Sequence, residues 1–287
     1  MPTISTDALV LVDKPVGITS FDAVRAVTRA IGTRKAGHAG TLDPFATGLL
    51  IILTGRGTRL LRFVNGEPKV YLATIRFGEE RDTDDRTGDV TRQAALPSTQ
   101  DVLETLPRFE GIIAQVPPAY SAKKIDGRRA YALARRGDAP TLPPVDVRVD
   151  RWEPLHVQAD TLVARITCGG GTYIRALARD LGRAVGSAAY LESLRRERCG
   201  AFHVEDAVPW EALKAGDARP RPLGDALGDT IREQLESDDV ARVGHGMTVL
   251  ARTDGPRAVL VDAEGQLLAI ARREADRWQP EVVLSHA

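Results

Sequence analysis

The chain has 287 residues, 43% hydrophobic and 27% charged, and its 39 basic and 39 acidic side chains balance to a formal net charge of zero. This length and composition indicate a globular protein of about two domains and exclude a largely disordered chain. No stretch is apolar enough over a sufficient length to span a bilayer, and residues 1–7 lack the basic start and apolar core of a secretory signal. We therefore expect a cytoplasmic protein that binds no membrane.

Cysteine and histidine are too sparse for a disulfide framework or a zinc site. Cys168 and Cys199 are the two cysteines, and neither they nor the five histidines show paired zinc-ligand spacing. We expect free thiols and no metal.

The zero net charge argues against a nucleic-acid-binding protein, since phosphate contacts usually come with a basic excess. The charges are unevenly spread, however. Basic residues cluster at 25–35, 123–129 and 195–198, and acidic residues gather at 79–89 and 224–239. Such a polarised surface can bind RNA without a basic total. The alternative is that each cluster is an ordinary solvated helix face.

The first predicted elements are a strand and a helix. The apolar run from Ala8 to Asp13 predicts a short strand. Thr19 and Asp22 then fit a capping box, and Gly32 supplies the stop of the helix. The apolar residues predicted to share one helical face are Phe21, Val24, Val27 and Ile31.

The stretch from Gly37 to Pro44 places the carboxylate of Asp43 on a glycine-rich turn between two apolar segments. Gly37 and Gly40 allow unusual backbone conformations and a close approach to a ligand. Pro44 biases Asp43 away from the helical region. Two interpretations follow from this spacing. Asp43 is either a functional carboxylate held outside regular structure or an ordinary helix N-cap with Pro44 at the first helical position.

The middle of the chain predicts two strands, a helix and an insert. Leu49 to Leu53 and Val70 to Phe77 are the strands, and the second has the alternation of a half-buried sheet. Asp101 to Leu106 begins a short helix. Between Gly111 and Val147 the many prolines, the basic middle and one helical stretch around Arg129 to Arg136 indicate an excursion from the core that can grip a partner.

The last third predicts more strands and helices, then a separate small domain. Leu162 to Thr167 reads as a strand that leads through three glycines into a helix from Tyr173 to Leu181, and a second helix is predicted over Ala188 to Arg196. Gly216 to Pro222 has the composition of a linker. Short strands and turn signals over Val240 to Leu284 predict a small β domain.

Five sequence blocks, taken in order, carry a resemblance to a known family. They are VDKPVGITS at 12–20, GHAGTLDPFATGLL at 37–50, the stretch from Lys69 to Asp85, PPAYSAKK at 117–124 with the residues up to Tyr131, and GTYIR at 171–175 with Asp180-Leu181-Gly182. Together they resemble the TruB family of bacterial tRNA pseudouridine-55 synthases. One departure is Gly169-Gly170, where the family usually has a polar pair, so side-chain contacts near the pocket are lost.

The resemblance implies an α+β pseudouridine synthase fold with a central mixed, largely antiparallel sheet. The catalytic domain would cover residues 1–225, with an RNA-gripping insert at about 111–147. A small β-rich module at 235–287 resembles a PUA-type RNA-binding domain. The alternative for this module is an appendage that only stabilises the fold.

The resemblance also implies an isomerisation that needs no cofactor. Asp43 matches the family's catalytic aspartate and would be the covalent nucleophile, attacking either C1′ of the ribose or C6 of the base. Asp43 must be ionised to act, so we expect Arg175 to hold it in a buried, direct ion pair. Tyr71 matches the family's tyrosine, whose ring can stack on the base and whose phenol can help remove the C5 proton. Its alternative is an ordinary strand aromatic.

Further residues match the family's RNA- or uridine-binding positions. His38 would pack at the flipped base, and Tyr173 and Leu194 would line the uridine pocket beside Tyr71. Asp85 would lie near Arg175, and Lys124 belongs to the basic run of the insert. Without the resemblance, His38 is a turn residue and Asp85 a solvated acidic turn, while Tyr173 and Leu194 are helix packing residues.

The implied substrate is the T-arm stem-loop of tRNA, with the uridine at position 55 flipped out of its stack. The resemblance suggests a monomer with no obligate protein partner. Two alternatives stay open. A guide-RNA-dependent pseudouridine synthase of the archaeal and eukaryotic type shares the catalytic motif but works inside a ribonucleoprotein. A noncatalytic RNA-binding or tRNA-folding protein would use the same groove only to hold the T-arm.

Overall fold

The computed structural model describes residues 6–64, 66–120, 124–125, 128–129 and 142–284, with the backbone alone at 124–125 and 128–129. The helices are α1 (Ser20–Ile31), α2 (Thr99–Thr105), α3 (Ile174–Ala184), α4 (Trp210–Lys214) and α5 (Ser237–Gly244). Short 3₁₀ helices cover Gly55–Phe63, Leu106–Phe109, Val204–Asp206 and Leu223–Leu227.

The strands up to the end of the insert are β1 (Leu9–Lys14), β2 (Ala36–Ala39), β3 (Thr47–Thr54), β4 (Lys69–Phe77), β5 (Glu79–Arg81), β6 (Val90–Gln93), β7 (Gly111–Gln115), β8 (Lys124–Ile125) and β9 (Arg128–Arg129). The later strands are β10 (Val145–Gln158), β11 (Thr161–Cys168), β12 (Ala189–Cys199), β13 (Phe202–His203), β14 (Val208–Pro209), β15 (Arg232–Gln234), β16 (Val249–Leu250), β17 (Arg257–Val261), β18 (Leu267–Glu274) and β19 (Arg277–Val283).

Within the described ranges, ten strands form a central sheet that is mixed and largely antiparallel, as predicted. Eight of them follow the order β14-β1-β3-β12-β4-β11-β10-β7, with β2 attached to β3 and β13 to β12. The β1–β14 and β12–β3 pairs are parallel, and the other pairs in this sheet are antiparallel. The α+β prediction is confirmed. Strands β4 and β12 lie side by side near the middle, where they form the floor of the site.

Strand β4 shows why the sheet has one covered face. Alternate residues from Tyr71 to Phe77 are buried and the residues between them are partly exposed, which is the predicted period of a half-buried strand. The buried residues form one apolar cluster with α3, whose buried face includes Leu177, Ala178 and Leu181. The strand predicted from 70 to 77 is therefore confirmed, and its core-facing side begins with Tyr71.

The helix predicted over Ala188 to Arg196 is wrong, because these residues form the central strand β12. Its sequence contains good helix formers, so its local propensity favours a helix. In the fold it fills the gap between β3 and β4, with Leu194 opposite Ala73 and Arg195 opposite Thr47. Pairing on both sides therefore overrides the local preference.

Helix α1 has the predicted ends but not quite the predicted face. Thr19 and Asp22 form a complete capping box, and Gly32 ends the helix in the left-handed conformation, with φ of 76°. Phe21, however, is 58% exposed, and the Arg25 guanidinium lies 4.6 Å from the centre of its ring. The buried residues of α1 include Ala23 and Ala26, which turn the packed arc away from Phe21.

The helical stretch predicted around Arg129 to Arg136 falls largely outside the described residues. Arg129 itself lies in β9, which pairs with β8 in a short antiparallel hairpin.

The C-terminal part contains the predicted small β-rich module. Five strands follow the order β15-β17-β18-β19-β16, and Trp278 is fully buried in the core of the module. Leu9 and Leu53 of the central sheet belong to the same apolar cluster as Val259 and Ile270 of this module. The two sheets therefore share a core, and the domain boundary between 225 and 235 stays a prediction. No helix within the described ranges has the length and apolarity to cross a membrane.

We predict that Gly48→Ala lowers the free energy of unfolding by about 3 kcal/mol or more. Gly48 has φ of +101°, and a Cβ there would overlap the backbone oxygen of Arg196 in the neighbouring strand. Gly111→Ala is the matched control, because Gly111 has φ of +89° but open space around the added carbon. Its cost should be about 1–2 kcal/mol, from backbone strain alone. Urea denaturation measures both, and equal losses would contradict the steric explanation.

Candidate active site

A cavity of about 280 Å³ opens over β4 and β12, beside the loop that carries Asp43. Five separated parts of the chain line it, namely residues 40–43, the start of β4, Tyr120, residues 171–175 and the middle of β12. Its volume is near the lower end for small-molecule pockets, which suits one nucleoside better than a stretch of nucleic acid. The predicted residues Asp43, Tyr71, Tyr173, Arg175 and Leu194 all line this cavity.

Asp43 lies on an irregular loop and is not a helix N-cap. The Ala46 N–H donates to the Asp43 carbonyl at 3.1 Å, closing a tight turn, and β3 follows directly at Thr47. The buried Ser20 hydroxyl holds the residue before it, since the Leu42 N–H donates to the hydroxyl at 2.9 Å and the hydroxyl donates to the Leu42 carbonyl at 3.0 Å. The N-cap interpretation is therefore wrong, and the carboxylate is presented by a fixed loop.

The predicted contact between Asp43 and Arg175 is direct. Arg175 Nε lies 2.9 Å from Oδ2, a close charge contact without hydrogen-bond alignment, and Nη2 donates to Oδ1 at 3.4 Å. The prediction that the pair is buried holds for one partner only, because the side chain of Arg175 is 5% exposed and that of Asp43 is 36% exposed. The arginine is therefore shielded from water while the carboxylate faces the open cavity.

Arg175 has further acceptors behind the cavity. Its Nη1 donates to the Thr83 carbonyl at 2.8 Å and lies 3.6 Å from Asp85 Oδ2, and its Nη2 donates to the Tyr120 carbonyl at 2.9 Å. Asp85 is buried and accepts a hydrogen bond from the Thr87 N–H at 2.9 Å. The predicted proximity of Asp85 to Arg175 is confirmed, and the solvated-turn alternative is wrong.

Tyr71 forms part of the cavity wall and is nearly fully buried. Burial raises the pKa of its phenol to about 12, although the nearby Arg196 guanidinium acts in the opposite direction. The phenol is therefore neutral near pH 7. Lys69, two residues earlier on β4, points to the same face and also lines the cavity.

The remaining predicted residues differ in how the structure places them. Tyr173 is the N-cap residue of α3, as expected for a helix start, whereas Leu194 reaches the cavity from a strand. His38 lies on β2 opposite Ile52, beside the cavity lining rather than in it. Burial lowers the pKa of His38, and the charge of Arg196 lowers it further. Lys124 lies in β8, and its side chain is outside the described atoms.

Sequence reasoning missed Arg196 as a site residue, because it grouped this residue with surface cations. Arg196 is fully buried, donates from Nε to the Leu49 carbonyl at 2.7 Å and from Nη2 to the Gly40 carbonyl at 3.1 Å. Its neighbour Arg195 pairs with Asp13 at 2.7 Å. If this segment had been assigned as a strand, residues 194 and 196 would have been placed on the same face of the sheet. That shared face would have indicated Arg196 as a site residue beside Leu194.

Lys14 is another buried cation next to the loop that carries Asp43. Its Nζ donates to the carbonyls of Pro15 and Ile18, each at 2.9 Å, and to that of Pro44 at 3.5 Å. Burial lowers the pKa of Lys14 to about 8, while the negative charge of Asp43 partly opposes this shift.

The Gly169-Gly170 departure has a structural counterpart in Glu67. The Gly170 N–H donates to Glu67 Oε1 at 2.8 Å, and a Cβ at position 170 would lie 2.5 Å from the same oxygen. The Glu67 carboxylate thus takes the space that a side chain at 170 would need. Among the residues that the structure describes, no group of three histidine, cysteine or acidic side chains is arranged to hold a metal ion.

Comparison with known proteins identifies the family. The sequence profile described as "TruB family pseudouridylate synthase (N terminal domain)" matches residues 28–174, about half of the chain. The chain belongs to the TruB family. It is therefore an isomerase of the pseudouridine synthase class.

Similar proteins named "tRNA pseudouridine synthase B" cover nearly the whole chain. The protein from Dehalococcoides mccartyi is 39% identical over 96% of both chains. That from Mycolicibacterium paratuberculosis is 40% identical over 99% of both chains. That from Thermobifida fusca is 39% identical over 97% of this chain and 99% of its own.

Solved structures support the fold assignment of this TruB family member. A structure of an H/ACA RNP bound to a substrate RNA containing 2′-deoxyuridine aligns with a TM-score of 0.73 and 21% identity, over 99% of this chain and 86% of that one. The archaeal box H/ACA sRNP Nop10–Cbf5 complex aligns with a TM-score of 0.72 and 22% identity, over 99% and 88% of the two chains. At these identities, the likeness shows the pseudouridine synthase fold alone.

We predict that the contribution of Lys14 to the free energy of unfolding increases as pH rises from about 8 to 10. Because burial lowers the pKa of Lys14 in the folded protein to about 8, below its ordinary value of 10.5, the unfolded chain binds more protons in this interval and the free energy of unfolding rises with pH. The difference in unfolding free energy between wild type and Lys14→Met should therefore increase over this range. Lys35→Met, the same substitution at an exposed lysine, is the control against which the Lys14→Met trend is measured. A constant difference for Lys14→Met would contradict the assignment.

Proposed function

We propose that this protein isomerises the uridine at position 55 of the tRNA T-arm loop to pseudouridine, with Asp43 as the covalent nucleophile and without a cofactor. The observation that carries the proposal is a solvent-facing carboxylate, held by the buried cation of Arg175, in a cavity of nucleoside size. The names of the full-length relatives support tRNA as the substrate.

The ion pair suits Asp43 for nucleophilic attack. A guanidinium in contact favours the charged carboxylate, and the exposed side of Asp43 leaves it free to reach a bound nucleoside. Attack at C1′ or at C6 splits the exchange into two steps. The N1–C1′ bond breaks, the base turns, the C5–C1′ bond forms, and C5 loses a proton while N1 gains one. The reaction balances without an oxidant or reductant, and both points of attack remain within the proposal.

Tyr71 would stack on the base from the β4 side of the cavity. Its high pKa, about 12, keeps the phenol protonated near neutral pH. Any part that Tyr71 takes in removing the C5 proton therefore starts from the neutral phenol. Tyr173 and Leu194 would form the other walls, and Asp85 would act through its contact with Arg175.

RNA binding would extend beyond the cavity. Extruding a stacked nucleotide costs a few kcal/mol, which contacts to the phosphates and to the exposed base must offset. We assign the grip on the T-arm to the insert at about 111–147, including Lys124, and a further RNA contact to the PUA-like module at 235–287. His38 would meet the flipped nucleotide beside the cavity. The protein would act as a monomer.

The assay that tests the proposed function uses the purified chain and an unmodified tRNA transcript, with no guide RNA or added protein. We expect pseudouridine at position 55 and at no other uridine, detected by mass mapping of the modified RNA. A guide-dependent enzyme would leave the transcript unmodified until a ribonucleoprotein partner and guide were added. That result would refute the proposal.

We predict that Asp43→Asn lowers the single-turnover rate of pseudouridine formation by roughly 10³-fold or more, because the amide cannot form the covalent intermediate. The dissociation constant for tRNA should stay within about threefold, since one carboxylate contributes little to phosphate recognition. Asp206→Asn makes the same chemical change on the exposed 3₁₀ helix Val204–Asp206, outside the cavity, the insert and the C-terminal module, and should leave both values unchanged. Wild-type activity in Asp43→Asn would remove Asp43 from its role and favour another chemistry.

A further inference from the structure

The side-chain amide of Gln115 is bonded to the backbone of a cavity residue. Gln115 is 1% exposed and ends β7. Its Oε1 accepts a hydrogen bond from the Tyr173 N–H at 2.9 Å, and its Nε2 donates to the Tyr173 carbonyl at 3.1 Å. The side-chain amide thus pairs with both the N–H and the carbonyl of Tyr173, as a residue of a neighbouring strand would.

Tyr173 depends on an outside partner for its position. It is the N-cap residue of α3, with φ of −97° and ψ of 109°, and its side chain makes no capping bond. Its N–H points out of the helix, where the first amides have no intrahelical acceptor. The chain reaches it through three glycines, and Gly171 has a φ of +84°. This approach supplies little stiffness of its own.

The same amide lies at the point where the insert leaves the sheet. Gln115 pairs with Val145 of β10, so the chain departs and returns at this pair. Two arginines of α3 hold the residues that follow, since Arg179 Nη2 donates to the Val116 carbonyl at 2.8 Å and Arg175 Nη2 donates to the Tyr120 carbonyl at 2.9 Å. Residues 115–120 therefore lie along the start of α3.

We propose that Gln115 is a positioning residue. It fixes Tyr173 and the first turn of α3 against residues 115–120, which we call the neck of the insert. This inference rests on the proposed function, in which Tyr173 lines the uridine pocket and Arg175 holds the nucleophile. An insert that grips RNA is thereby tied to the wall of the pocket that receives the base. Gln115 itself touches neither the base nor Asp43.

Two variants separate positioning from general stability. Gln115→Met keeps the approximate volume and removes both hydrogen bonds. We expect it to lower the single-turnover rate about 10- to 100-fold and to leave the dissociation constant for tRNA within about threefold, because misplaced groups lose rate rather than binding. Gln158→Met, at an exposed glutamine at the end of β10 and outside the insert and the C-terminal module, is the control and should change neither value.

Gln115→Glu gives a readout that a merely structural role would not produce. An ionised carboxylate cannot donate to the Tyr173 carbonyl, whereas the protonated acid has one donor and one acceptor and can restore both bonds. Burial beside a carbonyl oxygen raises the pKa of such an acid. The rate of Gln115→Glu relative to wild type should therefore recover as pH falls from 8 to 5.5. The corresponding ratio for Gln115→Met should stay constant.

Hydrogen exchange at the Tyr173 amide tests the two hydrogen bonds between Gln115 and Tyr173 without any assay of activity. We expect slow exchange in the wild type and at least tenfold faster exchange in Gln115→Met. Unchanged exchange, a Gln115→Met rate equal to wild type, or a Gln115→Glu ratio that ignores pH would each overturn the inference. A wild-type protein that forms no pseudouridine would instead refute the proposed function. The exchange experiment would still show whether Gln115 holds Tyr173 in place.

Discussion

The arrangement of the site depends on one buried guanidinium, that of Arg175. A cation shielded from water needs acceptors around it, because an uncompensated buried charge costs several kcal/mol. Here the acceptors come from three segments far apart in sequence, namely Asp43, the turn at 83–85, and Tyr120 at the neck of the insert. The same requirement that satisfies Arg175 thus brings these three loops to the start of α3. It also leaves the Asp43 carboxylate facing the cavity.

The loop that carries Asp43 is held by side-chain hydrogen bonds although it has no regular secondary structure. Buried polar side chains hold every second carbonyl along it: Arg196 binds that of Gly40, Ser20 that of Leu42, and Lys14 that of Pro44. Each bond satisfies a carbonyl that the sheet does not reach, as buried backbone groups require. Side chains of α1, β1 and β12 thus hold the backbone on both sides of Asp43, and Arg175 holds its carboxylate.

Local rules predicted the elements whose causes are local. The capping box of Thr19 fixed the start of α1, and alternation revealed β4; the resemblance supplied the contact of Asp43 with Arg175. The failures concern partners distant in sequence. Residues 188–196 favour a helix by composition, but β3 and β4 leave a strand-shaped gap that they fill. Arg196 looked like a surface cation because its acceptors, on β3 and on the loop that carries Asp43, are about 150 residues away.

Side chains hold residues 169–173, the segment that leads into α3, where three glycines leave the backbone conformationally free. Three glycines precede Thr172 outside regular secondary structure, and only the first, Gly169, is bonded to a strand, through its N–H to the Arg148 carbonyl of β10 at 2.9 Å. Glu67 accepts the Gly170 N–H on one side, and Gln115 binds both backbone groups of Tyr173 on the other. Gly171 can therefore line the cavity without a Cβ, while the Glu67 carboxylate and the Gln115 amide hold the backbone on either side of it. Because Gln115 also lies where the insert leaves the sheet, a displacement of residues 115–120 would reach the pocket through Gln115 as well as through Arg175 and Arg179.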